Sequence, residues 1–83
     1  MQGRRVHLNE QGQLSLAEGD YGKDAEGKWF VRPPGHHAGG IPHHDVVEHE
    51  DGTITVSPSI LFEGVHDEQG WHGYLERGVW RTC

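Results

Sequence analysis

The stretch VVEHEDGTITVSPSI, residues 46–60, combines turn chemistry, strand alternation and a strand stop in consecutive positions. Asp51-Gly52 favours a turn that takes positive φ, and Thr53–Val56 alternates polar with apolar β-branched residues. Pro58 lacks the amide donor that a central strand needs, so we expect the second strand to end there. The stretch therefore predicts a β-hairpin around which the rest of the fold is organised.

Two other parts of the chain predict hairpins as well. Arg5–Leu8 and Gln13–Leu16 each alternate polar and apolar residues across a short polar connection. Trp71–Leu75 and Val79–Arg81 flank a short turn in which Gly78 can take positive φ. The sequence thus predicts an all-β fold, a single domain over residues 1–83, in which three hairpins form a small antiparallel sheet or a compact barrel.

In this prediction, long loops rich in Gly, Pro and His connect the hairpins. Ala17–Gly27 and Glu63–Gly70 are polar and predict connections, whereas Lys28–Arg32 predicts a strand. Pro33–Asp45 holds three prolines, three glycines and four histidines and can continue neither a sheet nor a helix, so we expect an exposed loop with Ile41 buried. The predicted core consists of the apolar residues Val6, Leu8, Leu14, Leu16, Trp29, Val31, Ile54, Val56, Ile60, Leu61, Leu75 and Trp80.

Composition narrows the class of protein. With 83 residues, 33% of them hydrophobic, and 13 glycines, the chain can build one small core with many turns. Its net charge of −6 and its seven scattered Lys and Arg residues argue against a nucleic-acid interface, which needs clustered basic side chains. No apolar run approaches the roughly 20 residues of a membrane span, and no hydrophobic signal region follows residues 1–5. We therefore expect a protein that binds neither nucleic acid nor membrane and is not secreted through a signal peptide.

Two blocks of the C-terminal half resemble a known pattern. Asp51–Ile60 (DGTITVSPSI) and Trp71–Trp80 (WHGYLERGVW) are similar to a family of small proteins found mainly in bacteriophages and prophages. That resemblance implies a phage source and a β-rich fold. For the relatives it also implies cysteines that form a zinc site, but the corresponding regions here, Pro33–His37 and Gln69–His72, contain no cysteine.

Histidine is unusually frequent, and four of the eight histidines lie in one predicted loop. Imidazole binds Zn, Cu, Ni and Fe, so His36, His37, His43 and His44 are candidate metal ligands. Adjacent histidines rarely point at the same ion, however, and the spacing is not that of a zinc finger. We therefore expect solvated loop histidines and no cofactor, with zinc as the alternative.

No catalytic residue is predicted, because a hydrolytic site needs a nucleophile or a metal-bound water, a base and a third group that orients them. His49 with Glu50, or His72 with Glu76, supplies only residue types. Cys83 is the last residue of the sequence, and a terminal nucleophile is seldom held in place. We therefore expect a protein that is not an enzyme, with a metal-dependent enzyme as the least favoured class.

The last predicted hairpin provides the best candidate for a binding surface. Alternation places Trp71 and Leu75 on one face and His72 and Tyr74 on the other. Trp71 and Trp80 are expected in the core, because so small a domain needs its aromatic residues to fill volume, and Tyr74 is expected to be exposed. The candidate binding residues are Tyr74, His72, Glu48, Glu50 and Glu76. The wider acidic set is Glu48, Glu50, Asp51, Glu63, Asp67, Glu68 and Glu76.

These features predict a small acidic phage-type binding protein that acts by protein–protein contact, for example as a host-directed modulator or an anti-defence inhibitor. Its partner is expected to be a host or viral protein with a basic surface, met in the host cytoplasm or in the virion. The first alternative is a structural or accessory component of the virion that self-associates through its sheet edges. The second alternative is a histidine-rich metal-binding protein.

Overall fold

Eight β-strands and no helix make up the regular structure of residues 1–64 and 69–83, the part of the chain that the computed structural model describes. The strands are β1 (Arg4–Arg5), β2 (Asp20–Lys23), β3 (Trp29–Val31), β4 (Gly39–Gly40), β5 (Asp45–Glu48), β6 (Ile54–Phe62), β7 (Trp71–Glu76) and β8 (Val79–Thr82). They form two four-stranded sheets, sheet I in the order β1-β2-β3-β4 and sheet II in the order β5-β6-β7-β8. The predicted all-β fold class is confirmed, as two small sheets rather than a closed barrel.

The predicted organising hairpin is formed by β5 and β6 of sheet II. Val46 lies opposite Val56, and the backbone N–H of His49 donates to the Thr53 carbonyl at 2.8 Å where the turn closes. Gly52 takes a φ of 87°, a conformation that glycine adopts without steric cost. The local turn chemistry therefore places this hairpin as predicted.

β6 does not end at Pro58, so the predicted strand stop is wrong. Val56 lies opposite Leu75 of β7, and Ile60 lies opposite Gly73. β6 therefore advances by four residues where β7 advances by two, and the extra residues form a β-bulge. Proline is tolerated at a bulge because the ladder does not require its missing N–H there. The strand therefore continues to its end four residues later.

The C-terminal hairpin of β7 and β8 is also confirmed. Glu76 lies opposite Val79, which leaves Arg77 and Gly78 as a two-residue turn. Both turn residues take positive φ, 45° and 77°, as a turn that matches the right-handed twist of its strands requires. β7 alternates as predicted, with Trp71, Gly73 and Leu75 buried and His72, Tyr74 and Glu76 exposed.

The first predicted hairpin is wrong. Of the two predicted strands, Arg5–Leu8 and Gln13–Leu16, only Arg5 lies in an observed strand. That strand, β1, pairs in parallel with β2. The backbone N–H of Val6 donates to the Tyr21 carbonyl at 2.8 Å. The polar connection still forms a turn, since Oδ1 of Asn9 accepts from two backbone N–H groups of that turn, both at 2.9 Å. An isolated two-stranded hairpin is marginal, and pairing with β2 places the segment in a larger sheet instead.

Two of the predicted loops contain strands. Ala17–Gly27 includes β2, whose Tyr21 is 1% exposed, and Pro33–Asp45 includes β4, whose two glycines pair with β3. Glycine serves in a sheet where a neighbour leaves no room for a side chain. A Cβ on Gly39 would lie 2.9 Å from the ring of Phe62. The glycines of β4 therefore indicated a loop in the sequence, whereas in the structure they allow close packing within a sheet.

The core lies between the two sheets. Its buried apolar residues are Tyr21, Val31, Ile41, Ile54, Val56, Ile60, Trp71, Leu75 and Trp80, and Trp29 packs against them with part of its surface exposed. The predictions of Leu8 and Leu61 as core residues are wrong, since they are 38% and 64% exposed. Leu61 faces outward because its neighbours Ile60 and Phe62 both face the core. The half-buried members of the predicted core are Val6, Leu14, Leu16 and Trp29.

Met1–Arg5, which we call the N-terminal strap, connects the two sheets. Gln2 pairs with Val79 of β8, and the backbone N–H of Trp80 donates to the carbonyl of the first residue at 2.8 Å. The strap then continues along β2 of sheet I. The indole N–H of Trp80 donates to the Gly19 carbonyl at 2.9 Å and so fastens the turn before β2 to sheet II.

Candidate functional site

The outward side of sheet II carries most of the exposed large apolar side chains. Val47, Leu61, Tyr74 and Val79 are 55%, 64%, 38% and 38% exposed, four of the six such residues in the described chain. Strand alternation places all four on the side opposite the core. We call this side of sheet II the outer face; its polar members include His72, Glu76 and Arg81. Exposed apolar groups gathered on one surface are typical of contact sites.

Tyr74 is exposed as predicted, and Arg81 holds its ring. The two residues lie directly opposite each other on β7 and β8, and the guanidinium carbon lies 5.3 Å from the ring centroid. Arg81 also forms an ion pair with Glu76. The structure therefore brings together two predicted binding residues, Tyr74 and Glu76, with a cation that the sequence did not indicate.

Glu48, another predicted binding residue, faces the opposite side of sheet II. It lies opposite Ile54, and its carboxylate accepts from Nζ of Lys23 at 2.9 Å and from Nη1 of Arg5 at 3.0 Å. These hydrogen bonds hold the pKa of Glu48 below its ordinary value of 4.5. Both cations lie over the Trp29 ring, 5.2 and 4.8 Å from its centroid. Glu48 therefore joins the two sheets, with its carboxylate held by two cations on the side away from the outer face.

The connection between β5 and β6 is residues 49–53, and we call residues 49–52 of it the acidic turn. Glu50 and Asp51 line an open cleft of about 440 Å³ together with Glu48, His49 and Arg77. Thr53 donates to Oδ1 of Asp51 from its hydroxyl at 2.6 Å and from its backbone N–H at 3.0 Å. These two hydrogen bonds hold the pKa of Asp51 below its ordinary value of 3.8, so its carboxylate stays charged at neutral pH.

Thr55 ties the acidic turn to the turn between β7 and β8. Its Oγ1 lies 2.7 Å from Nε2 of His49 and accepts from the backbone N–H of Arg77 at 3.0 Å. Thr55 itself lies opposite Val47, on the outer face. The carboxylates of the acidic turn are therefore held at the border of the exposed apolar surface.

His72 belongs to a polar cluster that the sequence did not predict. Its Nε2 lies 3.0 Å from Oγ of Ser59 and 3.9 Å from Sγ of Cys83. The bulge in β6 brings Ser59 to this position, and Pro58 inside the alternating strand is the local signal that could have indicated it. A nucleophilic site also needs a third group that orients the histidine, and no carboxylate in residues 1–64 and 69–83 hydrogen-bonds to this ring. We therefore treat His72 as a polar member of the outer face.

The four histidines of the predicted loop differ in environment. His36 is 6% exposed and stacks on an aromatic ring of β6 at 5.5 Å. His44 is half-buried, and its Nε2 lies 3.0 Å from the Ser59 carbonyl oxygen, while His37 and His43 are exposed. The expectation of four solvated histidines is therefore wrong for two of them. Over the described ranges, no three His, Cys, Asp or Glu side chains are grouped so that they could hold a metal ion.

Compared with protein-family models, curated proteins and solved structures, the chain matches none of them. The described residues contain no helix with the length and hydrophobicity of a membrane span. Asp67 and Glu68, two members of the wider acidic set, lie outside the described residues. The fold and the candidate site define a class: a small all-β protein with an exposed aromatic and apolar sheet face bordered by an acidic turn.

Proposed function

We propose that this chain is a small acidic phage-type binding protein that contacts a basic surface of a host or viral protein through the outer face and the acidic turn. The observation that carries the proposal is the placement of four exposed large apolar residues on one side of one sheet. The net charge of −6 supports a basic partner, because complementary potentials speed encounter and suppress wrong partners.

Tyr74 is the proposed anchor of the contact. Tyrosine supplies a large contact area with little conformational entropy to lose, and it is enriched among the residues that dominate binding energy. Its ring is already positioned by Arg81, 5.3 Å from the ring centroid. The acidic turn then lies at the rim, where charges affect the rate of association and its dependence on salt.

The phage assignment is supported by the resemblance of Asp51–Ile60 and Trp71–Trp80 to bacteriophage and prophage proteins. The same two blocks supply most of β6, all of β7 and the start of β8, and they contain Tyr74 and Val79 of the outer face. We propose a host-directed role in the host cytoplasm, such as modulation of a host enzyme or inhibition of a defence protein. Many copies of the protein in each purified virion would contradict this role and favour the structural alternative.

The test starts from a tagged copy expressed in its natural host, from which the co-purifying partner is identified and then purified. Tyr74→Ser should weaken binding to that partner by about tenfold or more, the size expected for an interface anchor. Leu8→Ser is the matched control, because Leu8 is equally exposed, at 38%, and lies outside sheet II. Equal affinities for the two variants would contradict the proposed anchor.

Charge gives a second readout on the same complex. Protonation of all eight histidines would change the net charge from −6 to +2, since −6 + 8 = +2. Affinity for a basic partner should therefore fall as the pH is lowered from about 7.5 to about 5.5, and it should also fall with added salt. If the affinity changes with neither pH nor salt, the acidic turn does not contribute to binding, and the contact is apolar.

A further inference from the structure

β5 is the longest open sheet edge in the described part of the chain. The outer strands of sheet I, β1 and β4, have two residues each, whereas β5 has four. The other outer strand of sheet II, β8, is covered by the N-terminal strap through the bridge between Gln2 and Val79. β5 pairs with β6 on one side, and no described strand pairs with it on the other.

Hydrogen-bond alternation shows which backbone groups this edge presents. The backbone N–H of His49 donates to the Thr53 carbonyl at 2.8 Å, so this opposite pair is a hydrogen-bonded pair. Alternation along an antiparallel ladder then directs the N–H and C=O groups of Val47 and Asp45 toward β6. The corresponding groups of Val46 and Glu48 point away from β6, toward the open edge.

Charge on and beside β5 selects the kind of strand that can pair there. The segment 45–51 contains four carboxylates, and Asp45 and Glu50 form no ion pair with any described residue. A second copy of this chain would add four more carboxylates at the same edge, which like-charge repulsion disfavours. An added strand with Lys or Arg beside Asp45 would offset that charge. Beside Val47, which is 55% exposed, the added strand gains from a β-branched apolar residue.

We propose that β5 is a docking edge, to which an extended segment of the basic partner adds as a fifth strand of sheet II. On its outward side this segment carries a Lys or Arg two positions from a β-branched apolar residue. The inference rests on the proposed function, because it specifies how the same partner would be held. Main-chain hydrogen bonds to Val46 and Glu48 provide affinity, and the alternate side chains provide specificity.

The probe is a labelled synthetic peptide with the repeat Lys-Thr-Val-Thr, which places Lys and Val alternately on one side of an added strand. A control peptide carries Glu in place of Lys. Amide hydrogen exchange of the wild-type protein should show new protection at Val46 and Glu48 with saturating Lys peptide and none with the Glu peptide. Absence of that protection overturns the docking edge without the need for any variant.

Fluorescence anisotropy of two variants tests the backbone role directly. Val46→Pro removes an N–H that points away from β6 and so leaves the β5–β6 hydrogen bonds in place. Val46→Ala is the matched control, because it loses similar packing against the core but keeps the N–H. The expected result is a loss of about tenfold or more in peptide affinity for Val46→Pro relative to Val46→Ala, as for a main-chain contact at a strand-addition site.

The outcomes separate this inference from the proposed function. Equal affinity of the two Val46 variants for the purified partner would overturn strand addition and leave the outer-face contact standing. If Tyr74→Ser loses affinity for the partner and Val46→Pro does not, strand addition is likewise overturned and the outer-face contact stands. Sedimentation of wild-type protein as a dimer that Val46→Pro dissociates would also overturn the proposal, because a second copy would then occupy the edge.

Discussion

Replacement of one buried and one exposed leucine in sheet II tests the assignment of its two faces. Leu75 on β7 is fully buried, at 0% exposure, whereas Leu61 on β6 is 64% exposed. Removal of a buried leucine side chain costs about 2–5 kcal/mol through lost burial and the cavity that remains. Substitution of an exposed residue is usually within about 0.5 kcal/mol. We therefore expect Leu75→Ala to cost about 3 kcal/mol and Leu61→Ala to cost almost nothing.

A loss of that size is large for this protein. At about 0.05–0.15 kcal/mol per residue, a chain of 83 residues has a free energy of unfolding of about 4–12 kcal/mol. At about 4–8 °C per kcal/mol, Leu75→Ala should lower the Tm by about 12–24 °C, while Leu61→Ala should leave it nearly unchanged.

The assay is urea denaturation followed by tryptophan fluorescence, with circular dichroism as a second probe to check two-state behaviour. The free energies of unfolding of wild type, Leu75→Ala and Leu61→Ala are compared at equal protein concentration. If Leu61→Ala costs as much as Leu75→Ala, Leu61 faces the core and the order of faces beyond the bulge in β6 is wrong.

Three other substitutions, one of them with a matched glycine control, test particular contacts. The ion pairs of Glu48 should stabilise the fold above pH 4.5, its ordinary pKa, and lose this effect as the pH falls through the lowered value. Urea midpoints from about pH 6 to about pH 3 should show that loss in wild type and not in Glu48→Gln. Gly78→Ala should destabilise by more than about 1 kcal/mol, because φ is +77° and a Cβ would lie 2.7 Å from the Tyr21 hydroxyl. Gly27→Ala, at φ +82° with nothing within 4 Å, measures the backbone cost alone. Burial raises the pKa of Tyr21 above 10.0, so wild type should lose stability as the pH rises through that raised value, and Tyr21→Phe should not.

The two hairpins of sheet II could be predicted because their signals are local. Asp51-Gly52 and Arg77-Gly78 specify turns with positive φ, and the strands beside them alternate with a period of two. Exposure of Tyr74 and burial of Trp71 followed from that alternation and are confirmed. Of sheet I, only β3 was predicted, as the strand Lys28–Arg32. Its other strands have two to four residues, and β2 and β4 lie in glycine-rich segments whose composition is typical of turns.

Tyr21 and Glu48 show what the sequence leaves open. Tyr21 lies among glycines and charged residues, so its segment is typical of a loop until pairing with β3 buries it. Glu48 belongs to a run of polar residues. Because it pairs with Ile54, its side chain lies on the core side of sheet II and reaches Arg5 and Lys23 of sheet I. The partners of Glu48 lie far away in the chain, and a single sequence does not identify them. The partner of Tyr21 lies only ten residues away, but the turn-like composition of its segment hides the strand.

The N-terminal strap sets an order in which the chain can fold. Sheet II is a meander of neighbouring strands, so its contacts form between segments close in sequence. The strap pairs with β8, and the amino group of Met1 donates to the carbonyl of Trp80, 79 positions away. Contacts between distant segments cost more loop-closure entropy and tend to form late. The strap can therefore join the two sheets only after β8 has taken its place in sheet II.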